Sequence, residues 1–364
     1  MCVQLHRVCF TALVAVTILF LPHVVDGQII DFDGGGATDS WTDAANWVGD
    51  VQPSSTETAQ LTSGDVVSVD SNVDVGNVQS TSASIDLASG ELDVFSGTVT
   101  LDSSTVTRNG GQLRAGTLLV SGTTTLDLFS TDTVGRLETS GGGQANVTSD
   151  LNVGSGQSVS GGQLSVGAMF QSQFLDFDLL NSGEVILQSG GVFKGGLVID
   201  TSGVLTRNGG SLDLSSLDVG NAVVTLESGD RISDLDLSSA STVQLVQSAG
   251  DVDGLIFTGN DILNEFSGPG TLNVVFDSML IAGLDYGIRL DGDQTADLQT
   301  LLDNGQITAS GGGSNTISVI HDVGQFGDFT YLGFVAVAVP EPGSAMLLVA
   351  GAMCFPIRRR RTCA

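Results

Sequence analysis

Between about residue 60 and residue 250, short runs of alternating apolar and polar residues are broken every few positions by Gly, Ser or Asn. Glu91-Leu92-Asp93-Val94, Thr98-Val99-Thr100-Leu101 and Thr125-Leu126-Asp127-Leu128 are representative. Period-two alternation puts every second side chain on one face and predicts half-buried strands. No stretch there sustains helical spacing, and Gly-containing turns come too often for one sheet of long strands. Many short strands imply a repeat. Its marks are Gly110-Gly111-Gln112-Leu113, Gly161-Gly162-Gln163-Leu164 and Gly209-Gly210-Ser211-Leu212, with Arg108-Asn109 and Arg207-Asn208 before the first and third. Ser89-Gly90-Glu91-Leu92 and Ser182-Gly183-Glu184-Val185 are weaker copies. The starts of the three marks differ by 51 and 48 residues. Those spacings divide into coils of roughly 20 to 25 residues, each burying its apolar side chains on the next. The expected fold is all-β, a right-handed parallel β-solenoid (β-helix) over 60–250 followed by a small β-rich C-terminal domain over 251–338. An antiparallel β-sandwich is the alternative. Roughly eight or nine coils at about 4.8 Å each would stack to about 40 Å. Gly-Gly suits the corners, where positive φ strains any residue with a Cβ.

The 364 residues include 41 acidic and 12 basic side chains, a formal net charge of −29. That balance excludes nucleic acid as a partner, since phosphates are bound by Lys and Arg. With 41% hydrophobic and 15% charged residues, the chain has material for a core and is no disordered polyelectrolyte.

Both termini read as addresses. His6 and Arg7 precede the apolar run Val8 to Leu21, closed by Pro22 and Val25-Asp26-Gly27. This is the pattern of a secretory signal peptide over 1–27, with cleavage expected between Gly27 and Gln28. At the other end stand Val339, Pro340, Glu341 and Pro342, the apolar run Ser344 to Ile357, and Arg358, Arg359, Arg360 and Arg361. Fourteen apolar residues make about 21 Å of helix, short for a bilayer core but enough for a transient anchor. The arginines would hold its end on the cytoplasmic side. The two prolines keep the preceding backbone extended. This order of parts resembles the PEP-CTERM sorting signal of exosortase substrates. The resemblance implies export to the cell surface or extracellular matrix, an exosortase-like membrane protease or transpeptidase as partner, and a surrounding extracellular polysaccharide. Cys2 and Cys9 fall in the leader and Cys354 and Cys363 in the tail, so residues 28–339 contain no cysteine to cross-link.

Trp41, Asn46, Trp47, Pro53 and Ala59 follow the order W-x4-N-W-x5-P-x5-A. This resembles the opening segment of bacterial autotransporter-like β-helix proteins and implies a cap over 28–59, with Trp41, Asn46 and Trp47 plugging the first coil. A carbohydrate platform is the competing reading, because sugars stack on aromatic faces. Beyond a boundary at Gly250 to Gly254, strands are expected at Thr271 to Phe276, Ile281 to Leu290, Thr316 to His321 and Thr330 to Val339. Thr295 to Asn304 is the best helix, with Leu298, Leu301 and Leu302 on one face and Gly305 as its terminator. Leu298 to Ile307 with Thr330-Tyr331-Leu332-Gly333 is similar to the domain that often precedes such a sorting tail.

Catalysis needs a usefully titrating group or a nucleophile beside a base. His321 is the one histidine and Lys194 the one lysine in 28–339. There is no G-x-S-x-G elbow, and the triple glycines lack the Lys of a phosphate loop. The chain is therefore expected not to be an enzyme and to have no catalytic residue. The alternative is a lyase-like β-helix enzyme acting on polysaccharide, for which Arg108, Arg114, Arg136, Lys194, Arg207 and Arg231 are the available bases, with no local pairing to carboxylates evident. Against it, 28–339 carries seven basic and 39 acidic residues, which repels a polyanion. No cofactor is expected. Calcium is the most credible ligand, through the Asp-x-Asp pairs at 31 and 33, 176 and 178, 234 and 236, 251 and 253, and 291 and 293. None of them matches a known calcium loop. Thr98-Val99-Thr100 and Thr123-Thr124-Thr125 raise an ice-binding array but do not recur in step with the Gly-Gly marks.

Overall fold

The computed structural model describes residues 27–335 except 155, 174–175, 239–240, 248–253, 259–261, 277–285, 312–315 and 324–327. The leader 1–26, the sorting residues Val339 to Pro342 and Arg358 to Arg361, and the Asp251/Asp253 pair lie outside the described residues. The chain forms two compact units, one of residues up to 125 with 131–135, the other of 126–130 with residues from 136 on.

In the first unit each coil has three strands, and each strand pairs in parallel with its equivalent in the next coil. One wall sets Ala59 opposite Val78, Val78 opposite Val99 and Val99 opposite Leu118. A second stacks Val66–Val69, Ser84–Leu87 and Thr105–Arg108, with Val67 opposite Ile85 and Ile85 opposite Val106. The third places Val73 on Leu92 and Leu92 on Leu113. Like residues therefore meet like residues, and these inward columns are aliphatic and buried, save for the half-buried Val106. Burial of each such side chain stabilises by about 1.5–3 kcal/mol.

The second unit repeats the scheme. Val159, Leu179, Ile199, Val219 and Leu237 form one inward column. Gln144–Val147, Gln163–Val166, Glu184–Gln188 and Val204–Asn208 form the equivalent of the second wall. Its interior holds Phe170, Phe177 and Phe193, with ring centroids 5.2 to 5.6 Å apart. Strands of the second wall begin at 66, 84, 105 and 125, and at 144, 163, 184 and 204, so a coil takes about 20 residues. The fold is a parallel β-solenoid. The antiparallel sandwich is excluded by the parallel register of these walls.

The corners explain the glycines. Gly110, Gly161 and Gly209 all have positive φ, at 105°, 69° and 92°, which a Cβ would oppose. The glycine after each is held by space, since a Cβ on Gly111, Gly162 or Gly210 would lie 2.7 to 2.8 Å from backbone of the preceding coil. The marks do not share one corner, however. Gly110-Gly111 and Gly209-Gly210 follow a strand of the second wall, whereas Gly161-Gly162 precedes one. The spacings of 51 and 48 were therefore not whole numbers of coils. Another corner of the first unit carries glycine in four successive coils, at Gly76, Gly97, Gly116 and Gly135. There a Cβ would meet the carbonyl oxygen of Glu57 at 2.6 Å from Gly76, that of Phe95 at 2.7 Å from Gly116, and that of Gly116 at 2.6 Å from Gly135.

Parallel pairing does not stop where the composition changes near 250. Val243 lies opposite Leu272 and Leu272 opposite Ile307, while Leu255 lies opposite Ile288. The added residues lengthen the connections between strands. Thr295–Asp303 is the expected helix, with Leu298 and Leu301 buried. Gly305 follows at φ 73° and donates to the Leu302 carbonyl at 3.0 Å. Thr316–Asp322 and Phe329–Val335 then form an antiparallel hairpin, and the second of these strands also runs antiparallel to Ile288–Asp291. Gln294 ties this region together, its amide oxygen accepting from the Ile262 N–H at 2.8 Å and its own N–H donating to Thr330 Oγ1 at 2.8 Å. Among the described residues no helix is long and apolar enough to cross a membrane.

Candidate functional site

Residues 27–47 lie along the first coil. Ile29 pairs with Thr58, and Ser40 bridges to Ser68 in parallel. The Trp41 N–H donates to Ser68 O at 2.8 Å, and the Ser68 N–H to Asp39 O at 2.7 Å. Both indoles are fully buried, with Trp41 and Trp47 at 4.9 Å and Phe32 edge-on to Trp47 at 5.2 Å. Trp47 Nε1 donates to Trp41 O at 2.8 Å. Asn46 closes the loop from within, because its Nδ2 donates to Thr38 O and Ser40 O at 2.6 and 2.9 Å while its Oδ1 accepts the Gly36 N–H at 2.8 Å. With both ring systems enclosed, neither tryptophan presents a face on which a sugar could stack. Gly27 and Gln28 begin the described chain, and the Gln28 carbonyl accepts the Thr58 N–H at 2.9 Å.

Each of the six solenoid bases stands beside a carboxylate, a pairing that the sequence did not disclose. The partners are Asp132 for Arg108 (2.6 Å), Asp93 for Arg114 (3.2 Å), Glu138 for Arg136 (2.6 Å), and Asp213 for Lys194 (3.5 Å) and Arg231 (3.9 Å). Arg207 pairs with Asp230 at 2.8 Å and Glu227 at 3.4 Å. Arg114 also lies over the exposed ring of Phe95, 4.1 Å from its centroid.

Two of these pairs are interior. Arg108 sits opposite Leu87, and Arg207 opposite Leu187, at positions where the wall otherwise turns aliphatic residues inward. Their side chains are 8% and 5% exposed, and those of Asp132 and Asp230 are 0% exposed. Asp132 takes Arg108 Nη2 on both oxygens, at 2.6 and 2.8 Å, and accepts the Leu113 N–H at 2.9 Å. Asp230 is held by Arg207 through two parallel bonds of 2.8 and 2.9 Å and accepts the Leu212 and Glu227 N–H groups, each at 2.9 Å. Both sites follow one plan. The Arg of an Arg-Asn-Gly-Gly corner turns inward, and an Asp from the next coil neutralises it and ties down the strand that leaves the corner. The signal was visible in the recurrence of Arg-Asn-Gly-Gly, but the partner Asp lies 24 and 23 residues downstream in an ordinary turn.

Two of the Asp-x-Asp pairs, 176/178 and 234/236, converge with Asp218 on one wall of the second unit. Asp218 lies opposite Asp236 in the ladder. Asp176 reaches across the bare Gly196 to Ser216 Oγ at 3.1 Å. Partial burial and then the charges of Asp236, Asp176 and Asp234 push the Asp218 carboxyl above the usual range. Burial and Asp176 do the same at Asp178, opposed by Arg136. Among the described residues no three His, Cys, Asp or Glu side chains are grouped to hold a metal ion. Asp31 lies in the first strand, and Asp293 accepts from Thr295 Oγ1 at 2.8 Å at the start of the helix.

His321 lies in the hairpin, with Nε2 2.6 Å from Asp328 Oδ1 and Nδ1 3.8 Å from Asp293. The Asp328 hydrogen bond is the main cause that holds its pKa above the ordinary value.

No family model matches the chain, and no similar curated protein or solved structure was found.

Proposed function

We propose that this is an exported bacterial surface or extracellular-matrix protein with a structural or adhesive role, sorted by an exosortase-like system that removes or exchanges its tail. The observation that carries the reading is the order of parts at the two ends, an apolar leader before residue 28 and Val339-Pro340-Glu341-Pro342, an apolar run and Arg358 to Arg361 after the folded body. The body supports it physically. A coil stacked in parallel needs no disulfide, metal or cofactor for its core, and an acidic exterior stays hydrated among polysaccharides. The six solenoid bases lie within ion-pair reach of carboxylates, which weighs against the alternative of a polysaccharide lyase, since a lyase base must be free to take a proton. Mass spectrometry of the protein extracted from the cell surface tests the sorting, and a mature form that retains Arg358 to Arg361 overturns it. Incubation with pectin, alginate and neutral glycans tests the structural role, and unsaturated or new reducing ends would replace it with the enzyme.

A further inference from the structure

We propose that Gln28 becomes the amino-terminal residue of the exported protein and closes on itself to pyroglutamate, an inference that rests on the cleavage reading above. The fold takes hold directly after this residue. The Gln28 carbonyl accepts the Thr58 N–H at 2.9 Å, Ile29 and Ile30 lie opposite Thr58 and Ala59, and Ile30 is buried. The Gln28 side chain, by contrast, is exposed. Its α-nitrogen and its carboxamide carbon are thus held in one residue at the start of a fixed strand, with solvent around the carboxamide.

The 27–28 bond also lies against the first coil, where a Cβ on Gly27 would overlap the Thr56 carbonyl oxygen. Cleavage therefore acts on the extended chain, before Ile29–Asp31 docks, and docking then presents Gln28 as the end of a finished strand. In the cyclisation the neutral α-amine attacks the side-chain amide carbon, so that an N–Cδ bond forms and the bond from Cδ to the amide nitrogen breaks. The proton lost from the amine leaves with that nitrogen as ammonia. No oxidant, reductant or second substrate is consumed. The product has a five-membered lactam in place of an amine that would titrate near pH 8, so the amino end carries no charge and offers no free amine to an aminopeptidase.

The test uses the full chain expressed with its own leader and recovered from the exported fraction. Primary amines are blocked by reductive methylation on the intact protein, before digestion, so that a ring closed during preparation is not counted. Tandem mass spectrometry then reads the first peptide. The expected result is a peptide that begins at residue 28, unmethylated at its terminus and about 17 Da lighter than its sequence requires, and that pyroglutamyl aminopeptidase shortens by one residue. Gln28→Ala, cut at the same bond, should be fully methylated at its terminus. A peptide that begins at Gln28 and carries the methyl label overturns the cyclisation and leaves the cleavage standing. A first peptide that begins at any other residue overturns the cleavage reading and the cyclisation with it.

Discussion

Removing the Asp230 carboxylate should destabilise the second unit far more than removing the arginine that it faces. In Asp230→Ala, the Arg207 guanidinium loses two bonds of 2.8 and 2.9 Å in a site where it is 5% exposed. It keeps the Gly210 carbonyl at 2.7 Å and the half-exposed Glu227 at 3.4 Å. Breaking a buried pair in this way costs about 3–5 kcal/mol, and partial rescue by Glu227 puts the ionic share near the lower bound. The Leu212 and Glu227 N–H groups also lose their acceptor. If water fills the vacated space they add only about 1 kcal/mol together, for a total of about 4 kcal/mol. Arg207→Met leaves Asp230 with both backbone donors and should cost about 2 kcal/mol. Arg207→Met with Asp230→Asn leaves no buried charge and keeps an oxygen for one of the two backbone N–H groups, so it should cost less than Asp230→Ala. Urea unfolding followed by far-UV circular dichroism gives the three values, and hydrogen exchange over 204–232 localises the loss. Trp41 and Trp47 belong to the other unit, so indole fluorescence serves as a control. A cost for Asp230→Ala below about 1 kcal/mol, or a double variant that costs as much as Asp230→Ala, would refute the account of a desolvated pair.

Gly97→Ala would set its Cβ on the Gly76 carbonyl oxygen and should lower stability by at least about 2 kcal/mol by urea titration; a neutral result would mean that the corner yields. Asp218 faces Asp236 in register, so Asp218→Asn should raise stability at pH 7 by about 0.2–1 kcal/mol at low salt, less in 1 M salt. Because the Asp218 pKa is raised in the fold, wild-type stability from this group is complete below the unfolded value of about 3.8 and is lost as pH rises through the folded one. The variant should lack that decline, as melting curves from pH 3 to 7 will show. His321 likewise has a raised folded pKa, from Asp328 first, so its contribution is present below about pH 6.5 and fades as pH climbs through the folded value. Titration of the His321 ring by NMR should give a midpoint that falls towards the free-histidine value in Asp328→Asn, and an unchanged midpoint would remove the pairing.

The walls of the solenoid were legible because burial against an identical neighbour needs only a period of two, and Leu92, Val99 and Leu113 keep it. The coil length was blurred by chemistry common to two corners. Gly90, Gly111 and Gly210 follow a strand of the second wall and Gly162 and Gly183 precede one, yet all are small for the same reason, a carbonyl of the previous coil at the site of the missing Cβ. The steadier ruler, Gly76 to Gly135, sits among ordinary residues and carries no second glycine to draw notice. The helix at Thr295–Asp303 and its Gly305 stop were plain, since both signals are local. Asp132 and Asp230 were not, because a turn aspartate becomes a buried counter-ion only through stacking, and stacking is a contact between residues some 20 apart. The pairing of Arg114 with Asp93 was hidden for that reason too.

The inward arginines bear on how such a chain finds its own alignment. Aliphatic coils of equal size are nearly interchangeable, and a nascent stack could slip by one and still bury its leucines. At Arg207 that slip would press a guanidinium against hydrocarbon and strand a carboxylate one storey away, which is a heavy penalty. Each Arg-Asn-Gly-Gly corner is thus an index peg, and in each unit a single peg suffices to forbid the miscounted winding.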